Sequence, residues 1–427
     1  MNLCEKSPQA IVFCSKKTVK QLLLATCLLF ATLVQAQSGK SKVLFIIADG
    51  IPADVIEAQP VPHLKSIAKA GGYCRAYVGG DKDSYSRTPT ISAVGYNSLL
   101  TSTWVNKHNV WDNEITDPNY SYPTIFKLYK DTYPNGKTAI FSTWLDNRTK
   151  LVGDGLPQTK GLKIDYAVDG LEHDTARFPH DKESWYIHQI DEVVAKAAAD
   201  YVKTEGPDMT WVYLEYTDDM GHRYGTGERL DTAVRMLDDM VGNIWAAIEY
   251  RQKQFKEDWQ IYITTDHGRD GNKGHNHGGQ SDRERSTWII TNAKGLNSYF
   301  KSSVPGIVDI FPSITRFMKI RVPQPVNREL DGVALTGAVS ISNPAASISD
   351  NKIELSWKAW EKKGKVKVYA AISNNFKQGG TDEYKLLGEV PVGAERANFD
   401  VKNMTSGFYK IVLEAPNNTV NRWIVLK

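Results

Sequence analysis

The chain has few cysteines and, beyond its first 36 residues, no excess of either charge. Three of its four cysteines, Cys4, Cys14 and Cys27, lie in that N-terminal stretch, so only Cys74 remains and an internal disulfide is excluded. The same stretch holds four lysines and one glutamate, which leaves 48 basic and 48 acidic residues in 37–427. No run of basic residues is present, which argues against a nucleic-acid polymer as partner.

The N-terminal stretch has the layout of a secretory signal peptide. Three lysines precede the apolar stretch Leu22–Val34, and Val34-Gln35-Ala36 fits the small-x-small cleavage rule. This stretch of 13 residues is short for a membrane span, which needs about 20, so we expect no stable span. We predict that 1–36 is a signal peptide, cleaved near Ala36, and that the protein is exported to the periplasm or the extracellular space. Without disulfides, its stability would come from its core and from any bound metal.

Strand-like and helix-like segments alternate between residues 42 and 339, which is typical of an α/β fold with a mostly parallel sheet between helices. Two apolar stripes at helical spacing predict amphipathic helices, one from Ile187 to Tyr201 and one from Leu230 to Ile248. We expect the second to pack on the sheet as a crossover. Apolar runs predict these strands: Val43–Ala48, Thr138–Phe141, Thr210–Tyr216, Gln260–Thr265 and Thr287–Thr291.

The composition changes after Pro323. Proline, glycine and small residues over 323–346 indicate a linker, and the short alternating runs that follow predict a small β-sandwich of the fibronectin or immunoglobulin type. We place the domain boundary between 37–339 and 340–427. The C-terminal domain has no catalytic cluster, so contact with a glycan or a surface partner and a packing or spacing role both stay open for it. The oligomeric state is not indicated.

Acidic and imidazole side chains follow three of the predicted strands. The carboxyl ends of parallel strands share one edge of a sheet, so these side chains can converge in space. Carboxylate and imidazole together suit zinc, and two sets of three protein ligands leave open positions for substrate. The pattern therefore predicts a hydrolase with two divalent metal ions, zinc being preferred. The candidate ligands are Asp49, Asp218, His222, Asp266, His267 and His277.

Each short segment that carries these candidate ligands also has a purely structural interpretation. Asp49 with the following glycine could form an ordinary turn, and Asp218 could cap a helix that exposes His222. His275 and His277 share a glycine-rich loop and compete for the last ligand position. Asp266-His267, directly after an apolar strand, is unusual for a plain strand exit and is the clearest signal.

The hydroxyl side chains of Thr90 and Ser92 lie just before a segment that we predict to be a helix ending near Leu100. A helix N-terminus favours phosphate because its free N–H groups and its dipole attract anions. Ser92 is the first choice for a nucleophile and Thr90 the second, although Ser92 could equally be a helix N-cap. A serine hydroxyl is a weak nucleophile unless its pKa is lowered, for example by a metal.

Together, the segments with the candidate ligands and the candidate nucleophile resemble the alkaline phosphatase superfamily, and most closely its nucleotide pyrophosphatase/phosphodiesterase (type I phosphodiesterase) branch. The resemblance covers roughly residues 42–335. The resemblance implies two zinc sites, and these are their ligands: Asp49, Asp266 and His267, joined by Ser92, in the first; Asp218, His222 and His277 in the second. The nucleophile of this family stands nine residues before the threonine of Leu/Val-Thr-Gly, and Thr101 puts Ser92 in that position.

Two further features carry the resemblance. The family has an asparagine in His-Gly-x-x-x-Asn that helps to bind the phosphoryl oxygens, and the segment His108 to Asn113 offers Asn113 for this catalytic role. The run from Val308 to Ser313 resembles a helix that commonly follows in these enzymes. Here Ser92-Ala93-Val94-Gly95 stands where the branch usually has threonine and Phe-Pro-Asn-His, so the reaction type is implied but a nucleotide substrate is not.

The expected function is that of an exported two-zinc phosphodiesterase that hydrolyses small-molecule phosphate diesters or pyrophosphates through a covalent phosphoseryl intermediate. A phosphomonoesterase of the alkaline phosphatase type is the alternative. A sulfatase-like ester hydrolase ranks lower because the Cys/Ser-x-Pro-x-Arg signature is absent. A hypothesis from a different functional class is an exported binding protein whose hydrolase-like core is stabilised by metal but has no activity.

The choice between diester and monoester depends on the pocket. A diester site needs an apolar or aromatic pocket for its second organic group, whereas a monoester site needs extra cations for the terminal oxygens. The sequence offers candidates for both. The aromatic candidates are Tyr96, Trp104, Trp111 and Trp144, and the cationic candidates are Arg148, Lys150 and Lys163.

Overall fold

The structure, a computed structural model, describes residues 40–404 and 406–426. The predicted signal peptide, 1–36, lies outside the described residues. Within the part of the chain that is described, no helix combines the length and the apolar character needed to cross a membrane.

Seven strands form a central sheet in the order β2-β7-β6-β1-β5-β3-β4. The strands are β1 (Ser41–Ala48), β2 (Gly72–Tyr77), β3 (Thr138–Ser142), β4 (Tyr166–Val168), β5 (Met209–Leu214), β6 (Asp258–Thr264) and β7 (Ser286–Thr291). The strands from β6 to β4 run parallel to their neighbours, while β7 is antiparallel to β6 and β2 is antiparallel to β7. The mostly parallel sheet is thus confirmed. All five predicted strands are present within two residues at either end, and β2 and β4 are additional.

Helices cover both faces of this sheet. They are α1 (Ala53–Ala58), α2 (Pro62–Ala70), α3 (Ser92–Thr101), α4 (Val105–His108), α5 (Ile125–Thr132), α6 (Trp185–Glu205), α7 (Tyr216–Tyr224), α8 (Glu228–Phe255), α9 (Ser298–Ser302), α10 (Ile310–Phe317) and α11 (Gln324–Asn327). The two predicted amphipathic helices correspond to α6 and α8. Their apolar stripes lie in the core, as expected for helices packed on a sheet.

The central strand β1 shows how the core is divided. Its side chains alternate between two hydrophobic clusters, with Val43, Phe45 and Ile47 in one and Leu44 and Ile46 in the other. A strand buried on both faces must be apolar throughout, which explains the unbroken run in the sequence. The centre of the sheet is therefore closed to water on both faces, and the polar groups of the central strands collect where these strands end.

The C-terminal residues form two antiparallel sheets, β11-β10-β13-β14 and β12-β9-β8. Their strands are β8 (Ile341–Ser349), β9 (Lys352–Ala359), β10 (Lys365–Ala371), β11 (Lys385–Pro391), β12 (Arg396–Asp400), β13 (Phe408–Glu414) and β14 (Thr419–Val425). The predicted all-β segment is confirmed. The segment predicted to be a linker, 323–346, contains more regular secondary structure than expected, namely α11 and the start of β8.

Two buried lysines connect the C-terminal sheets to the α/β part. Lys410, on β13, donates to Glu329 Oε1 and Asp382 Oδ2, both at 2.6 Å, and its side chain is 0% exposed. Lys107, on α4, donates to the Glu329 carbonyl at 2.7 Å and to Asn421 Oδ1, on β14, at 2.9 Å. The contact between the two parts therefore contains compensated buried charge as well as apolar surface.

We expect Lys410→Met to lower the free energy of unfolding by about 3–5 kcal/mol, because it leaves two buried carboxylates without their counter-charge. Lys365→Met, which removes an exposed lysine paired with Glu389 at 3.4 Å, is the control and should change it by less than about 0.5 kcal/mol. Urea titration measures both values. Equal stability of the two variants would show that the buried lysine does not hold the parts together.

Candidate active site

Three neighbouring strands of the sheet deliver five of the six predicted metal ligands to one edge. Asp49 directly follows β1, and Asp266 and His267 follow β6. Asp218 and His222 lie on α7, which begins two residues after β5 and places them one turn apart. Since β5, β1 and β6 are adjacent and parallel, their carboxyl ends meet.

The first group of ligands surrounds the imidazole of His267. Its Nε2 lies 3.3 Å from Asp49 Oδ1 and 3.2 Å from Asp266 Oδ2. The hydroxyl of Ser92, the first residue of α3, lies 3.4 Å from the same nitrogen. The structure therefore brings together the three predicted ligands of the first site and the predicted nucleophile.

The second group consists of Asp218, His222 and His277, whose ligand atoms all lie within 4.8 Å of one another. His222 Nε2 is 3.1 Å from Asp218 Oδ2 and 3.0 Å from His277 Nε2. Asp218 lies between the two groups, since its Oδ1 is 4.0 Å from the Nε2 of His267. His275 is outside the group and instead donates its Nδ1–H to the His222 carbonyl at 2.9 Å.

The tautomers of two histidines are fixed by backbone carbonyls. His267 Nδ1 lies 2.9 Å from the Gly268 carbonyl, and His277 Nδ1 lies 2.9 Å from the Thr90 carbonyl. A carbonyl oxygen only accepts, so each Nδ1 carries the proton and each Nε2 presents a lone pair to the site. This is the usual state of a metal-binding histidine, whose other ring nitrogen is held by a hydrogen bond.

Two carboxylate oxygens of the first group are buried without a hydrogen-bond partner, Asp49 Oδ1 and Asp266 Oδ2. Burial, followed by the charge of Asp218, raises the pKa of Asp49 to about 7. Burial and the charges of Asp49 and Asp218 likewise raise the pKa of Asp266. Unpaired buried oxygens that face an imidazole lone pair are what a cation-binding site requires, so the residues present fit a divalent metal.

The second group has a different charge balance. Burial alone would raise the pKa of Asp218, but its hydrogen bond with His222 and the charge of Arg269 outweigh this and lower the pKa. The bond to Asp218 in turn raises the pKa of His222. Burial lowers the pKa of both His267 and His277, which keeps these imidazoles neutral and able to bind a metal.

Ser92 and Thr90 differ in what their hydroxyls do. Thr90 Oγ1 donates to the Gly279 carbonyl at 3.0 Å and accepts from the Gly278 amide at 2.9 Å, so it holds the loop that carries His277. Ser92 faces His267 instead. It is not an N-cap either, because Ile91 occupies that position. The geometry favours Ser92 as the nucleophile.

Asn113 also lies beside the nucleophile. Its Oδ1 accepts from the Ala93 amide at 3.0 Å. An amide N–H can only donate, so this contact identifies the oxygen and leaves the Nδ2 of Asn113 as the donor. The predicted asparagine is thus joined to the first turn of α3.

Sequence reasoning did not single out Arg269, which is 0% exposed. Its Nε donates to the Gly50 carbonyl at 3.0 Å, and its guanidinium also bonds the Asp218 carboxylate. Gly50 has φ +68°, and a Cβ there would lie 2.3 Å from Asp218 Oδ1, so only glycine fits between Asp49 and Asp218. The signal in the sequence was an arginine directly after Asp266-His267-Gly268.

The candidate pocket residues do not all reach the surface. Tyr96 and Trp104 are buried and Trp144 is half-buried, whereas the Trp111 side chain is 51% exposed. Trp111 stands two residues before Asn113, and its indole Nε1 donates to Asn109 Oδ1 at 3.1 Å. Trp111 is therefore the aromatic candidate available to a ligand.

The cationic candidates are largely committed to protein carboxylates. Arg148 forms a fork with Asp169, at 2.6 and 2.9 Å, and also bonds Asp154. Lys150 pairs with Asp146 at 2.8 Å, and Lys163 is exposed. Arg148 is thus held by two protein carboxylates, whereas Lys150 lies in a half-exposed surface pair, which is weak.

Several solved structures align with a part of this chain. A candidate sulfatase from Bacteroides thetaiotaomicron shares 13% identity over 82% of this chain and 85% of its own, with a TM-score of 0.49. Murine ectonucleotide pyrophosphatase/phosphodiesterase 5 shares 13% identity over 66% of this chain and 96% of its own, with a TM-score of 0.45. Phosphonoacetate hydrolase from Sinorhizobium meliloti shares 20% identity over 54% and 57%, with a TM-score of 0.38.

The family comparison covers the part of the chain that contains every site residue described above. A model of the family described as type I phosphodiesterase/nucleotide pyrophosphatase matches residues 43–310. The match confirms the resemblance inferred from the motifs. The chain belongs to the type I phosphodiesterase/nucleotide pyrophosphatase family and is a hydrolase of phosphoric esters.

Proposed function

We propose that the protein is a two-metal phosphodiesterase that hydrolyses small-molecule phosphate diesters or pyrophosphates through a covalent intermediate on Ser92. The observation that carries this proposal is the pair of adjacent ligand groups beside the Ser92 hydroxyl, which lies 3.4 Å from His267 Nε2. Two neighbouring cation sites next to a hydroxyl at a helix N-terminus match the requirements of phosphoryl transfer.

The two proposed sites use the side chains of both groups, with zinc as the preferred ion. When bound, the ions would lower the pKa of the Ser92 hydroxyl and of water and neutralise charge on the phosphate. The chain supplies the rest of the chemistry. Ser92 is oriented by its position as the first residue of α3, and the burial of His267 excludes bulk water from that side of the hydroxyl. The proposed ligands are Asp49, Asp266, His267 and Ser92 in one site and Asp218, His222 and His277 in the other.

The reaction follows from this placement. The Ser92 Oγ attacks phosphorus, so that an Oγ–P bond forms while the bond from phosphorus to the leaving oxygen breaks, and the proton given up by Ser92 ends on that leaving oxygen. The phosphoseryl intermediate keeps the second ester group. Water then adds hydroxide to phosphorus and returns a proton to Ser92 as the Oγ–P bond breaks. Asn113 Nδ2 and the free amides of the first turn of α3 would stabilise the developing charge, a role whose loss typically costs about 10²–10³ in rate.

Two observations support a diester over a monoester. Arg148, the candidate cation whose planar guanidinium would best bind the terminal oxygens of a monoester, is held by Asp154 and Asp169. The exposed indole of Trp111 lies near Asn113 in the chain and offers apolar surface to the second organic group.

We expect Ser92→Ala to lower kcat by more than about 10⁴-fold, as removal of a nucleophile does in other hydrolases. Ser98→Ala is the matched control, because Ser98 lies on the same helix and its hydroxyl bonds only within the fold, to the Val94 carbonyl at 2.7 Å and to His108. Steady-state kinetics on a chromogenic diester measure both. Wild-type turnover by Ser92→Ala would rule out a covalent intermediate on Ser92.

The paired histidines of the glycine-rich loop allow a second test. We expect His277→Ala to weaken the binding of one of the two ions by more than about 100-fold, because it removes one of three protein ligands. His275→Ala, two residues away, should keep both ions, since the His275 side chain bonds the His222 carbonyl and lies outside the ligand group. Metal content after dialysis, measured by mass spectrometry, distinguishes the two. Loss of an ion from His275→Ala alone would reverse the assignment.

The substrate preference can be measured directly. We expect kcat/KM for bis-p-nitrophenyl phosphate to exceed that for p-nitrophenyl phosphate by at least about tenfold, which equals about 1.4 kcal/mol of transition-state stabilisation. Trp111→Ala should reduce the diester value more than the monoester value, because only the diester has a second group for the indole to contact. A preference for the monoester would instead favour the phosphomonoesterase alternative.

A further inference from the structure

Two buried tyrosines contact Asp49 on the side away from the other ligands. Tyr213, on β5, donates its hydroxyl proton to Asp49 Oδ2 at 2.7 Å. Tyr96, on α3, donates to the same oxygen, and the two phenol oxygens lie 2.9 Å apart. One carboxylate oxygen thus accepts two hydroxyl groups in the interior of the protein.

The local structure explains why both phenols reach this point. Tyr96 lies four residues after Ser92 in α3, so the nucleophile and the phenol are on the same face of the helix. Tyr213 is the register partner of Ile47 in the neighbouring strand, and Asp49 follows Ile47 by two residues, which places it on the same face of the sheet.

The phenols are held by close packing. Tyr96 is 0% and Tyr213 is 2% exposed, and their rings pack with centroids 4.9 Å apart. Trp211 and Trp144 each contact the Tyr96 ring edge-on, with centroids 6.4 Å away. Neither hydroxyl can therefore turn to water, and both stay directed at the carboxylate.

The two oxygens of Asp49 consequently have different environments. Oδ2 accepts both phenols, whereas Oδ1 has no hydrogen-bond partner and lies 3.3 Å from His267 Nε2. A carboxylate can bind a metal through one oxygen or through both, and hydrogen bonds from outside the ligand shell decide its orientation. Here they occupy one oxygen and leave the other facing the site.

We propose that Tyr96 and Tyr213 are positioning residues that make Asp49 a one-oxygen ligand, so that only Oδ1 is presented to a divalent cation. This inference rests on the proposed metal-dependent function. Keeping Oδ2 out of the site limits the number of protein oxygens around the cation and keeps space beside His267 for the Ser92 hydroxyl.

The test compares Tyr96→Phe and Tyr213→Phe with Tyr262→Phe. Tyr262 is the matched control because it is 0% exposed, lies on the adjacent strand β6, and donates its hydroxyl to Gln260 at 3.0 Å, away from the ligands. Cobalt(II) is the probe, and its affinity is measured by competition with a chelator. We expect each of the first two variants to weaken one of the two ions by about 10- to 100-fold, whereas Tyr262→Phe binds both as the wild type does.

A second readout reports the coordination itself. If Oδ2 is released, Asp49 can bind through both oxygens, so the coordination number rises and the visible absorption of bound cobalt(II) weakens. This readout uses the double variant, Tyr96→Phe with Tyr213→Phe, because each single variant leaves one phenol hydroxyl on Oδ2. Unchanged affinity and an unchanged spectrum in the folded double variant would overturn the inference. A wild-type protein that binds no pair of ions would instead overturn the proposed function itself.

Discussion

The close burial of three carboxylates at one edge of a parallel sheet is the constraint on which the site depends. Asp49 and Asp266 are almost fully buried and Asp218 is largely buried, and the negative charge of each makes the ionisation of its neighbours more costly. Arg269 compensates Asp218 alone. The oxygens left without partners, Asp49 Oδ1 and Asp266 Oδ2, would be expensive to retain unless a cation could balance them. The phenols, the histidine tautomers and the glycine after Asp49 all shape the surroundings of these carboxylates.

The strands that carry the site could be predicted because burial on both faces leaves unbroken apolar runs, and the six ligands were recognisable because each stands just beyond such a run or in the loop that follows one. The strands β2 and β4 could not be predicted. β4 has only three residues, and β2, at the edge of the sheet, carries charged and polar side chains between its apolar ones. The sequence also could not choose between His275 and His277, since the course of their loop is set by the Asp270 carboxylate, which accepts the Asn272 and Asn276 amides.

The contacts of Tyr96, Tyr213 and Arg269 with the ligands were hidden for a related reason. Each meets its partner across more than 40 residues of sequence, and an aromatic side chain in a core strand or helix is usually packing. The sequence also did not show which residues of the α/β part contact the C-terminal residues. Asn119 makes one such contact, because its side chain donates to the Lys377 carbonyl at 2.8 Å and its backbone amide donates to the His108 carbonyl at 2.9 Å. The C-terminal sheets thereby support the loop that carries Asn113.

The most direct test of the two-metal site is a crystal structure of the zinc-loaded protein with anomalous diffraction recorded at the zinc edge. The account predicts two anomalous peaks about 3.5–4 Å apart, one within about 2.0–2.2 Å of Asp49, Asp266 and His267 and the other within the same distance of Asp218, His222 and His277. A single peak, or peaks only at surface histidines such as His63, would contradict it. In that case the buried carboxylates would need a different explanation.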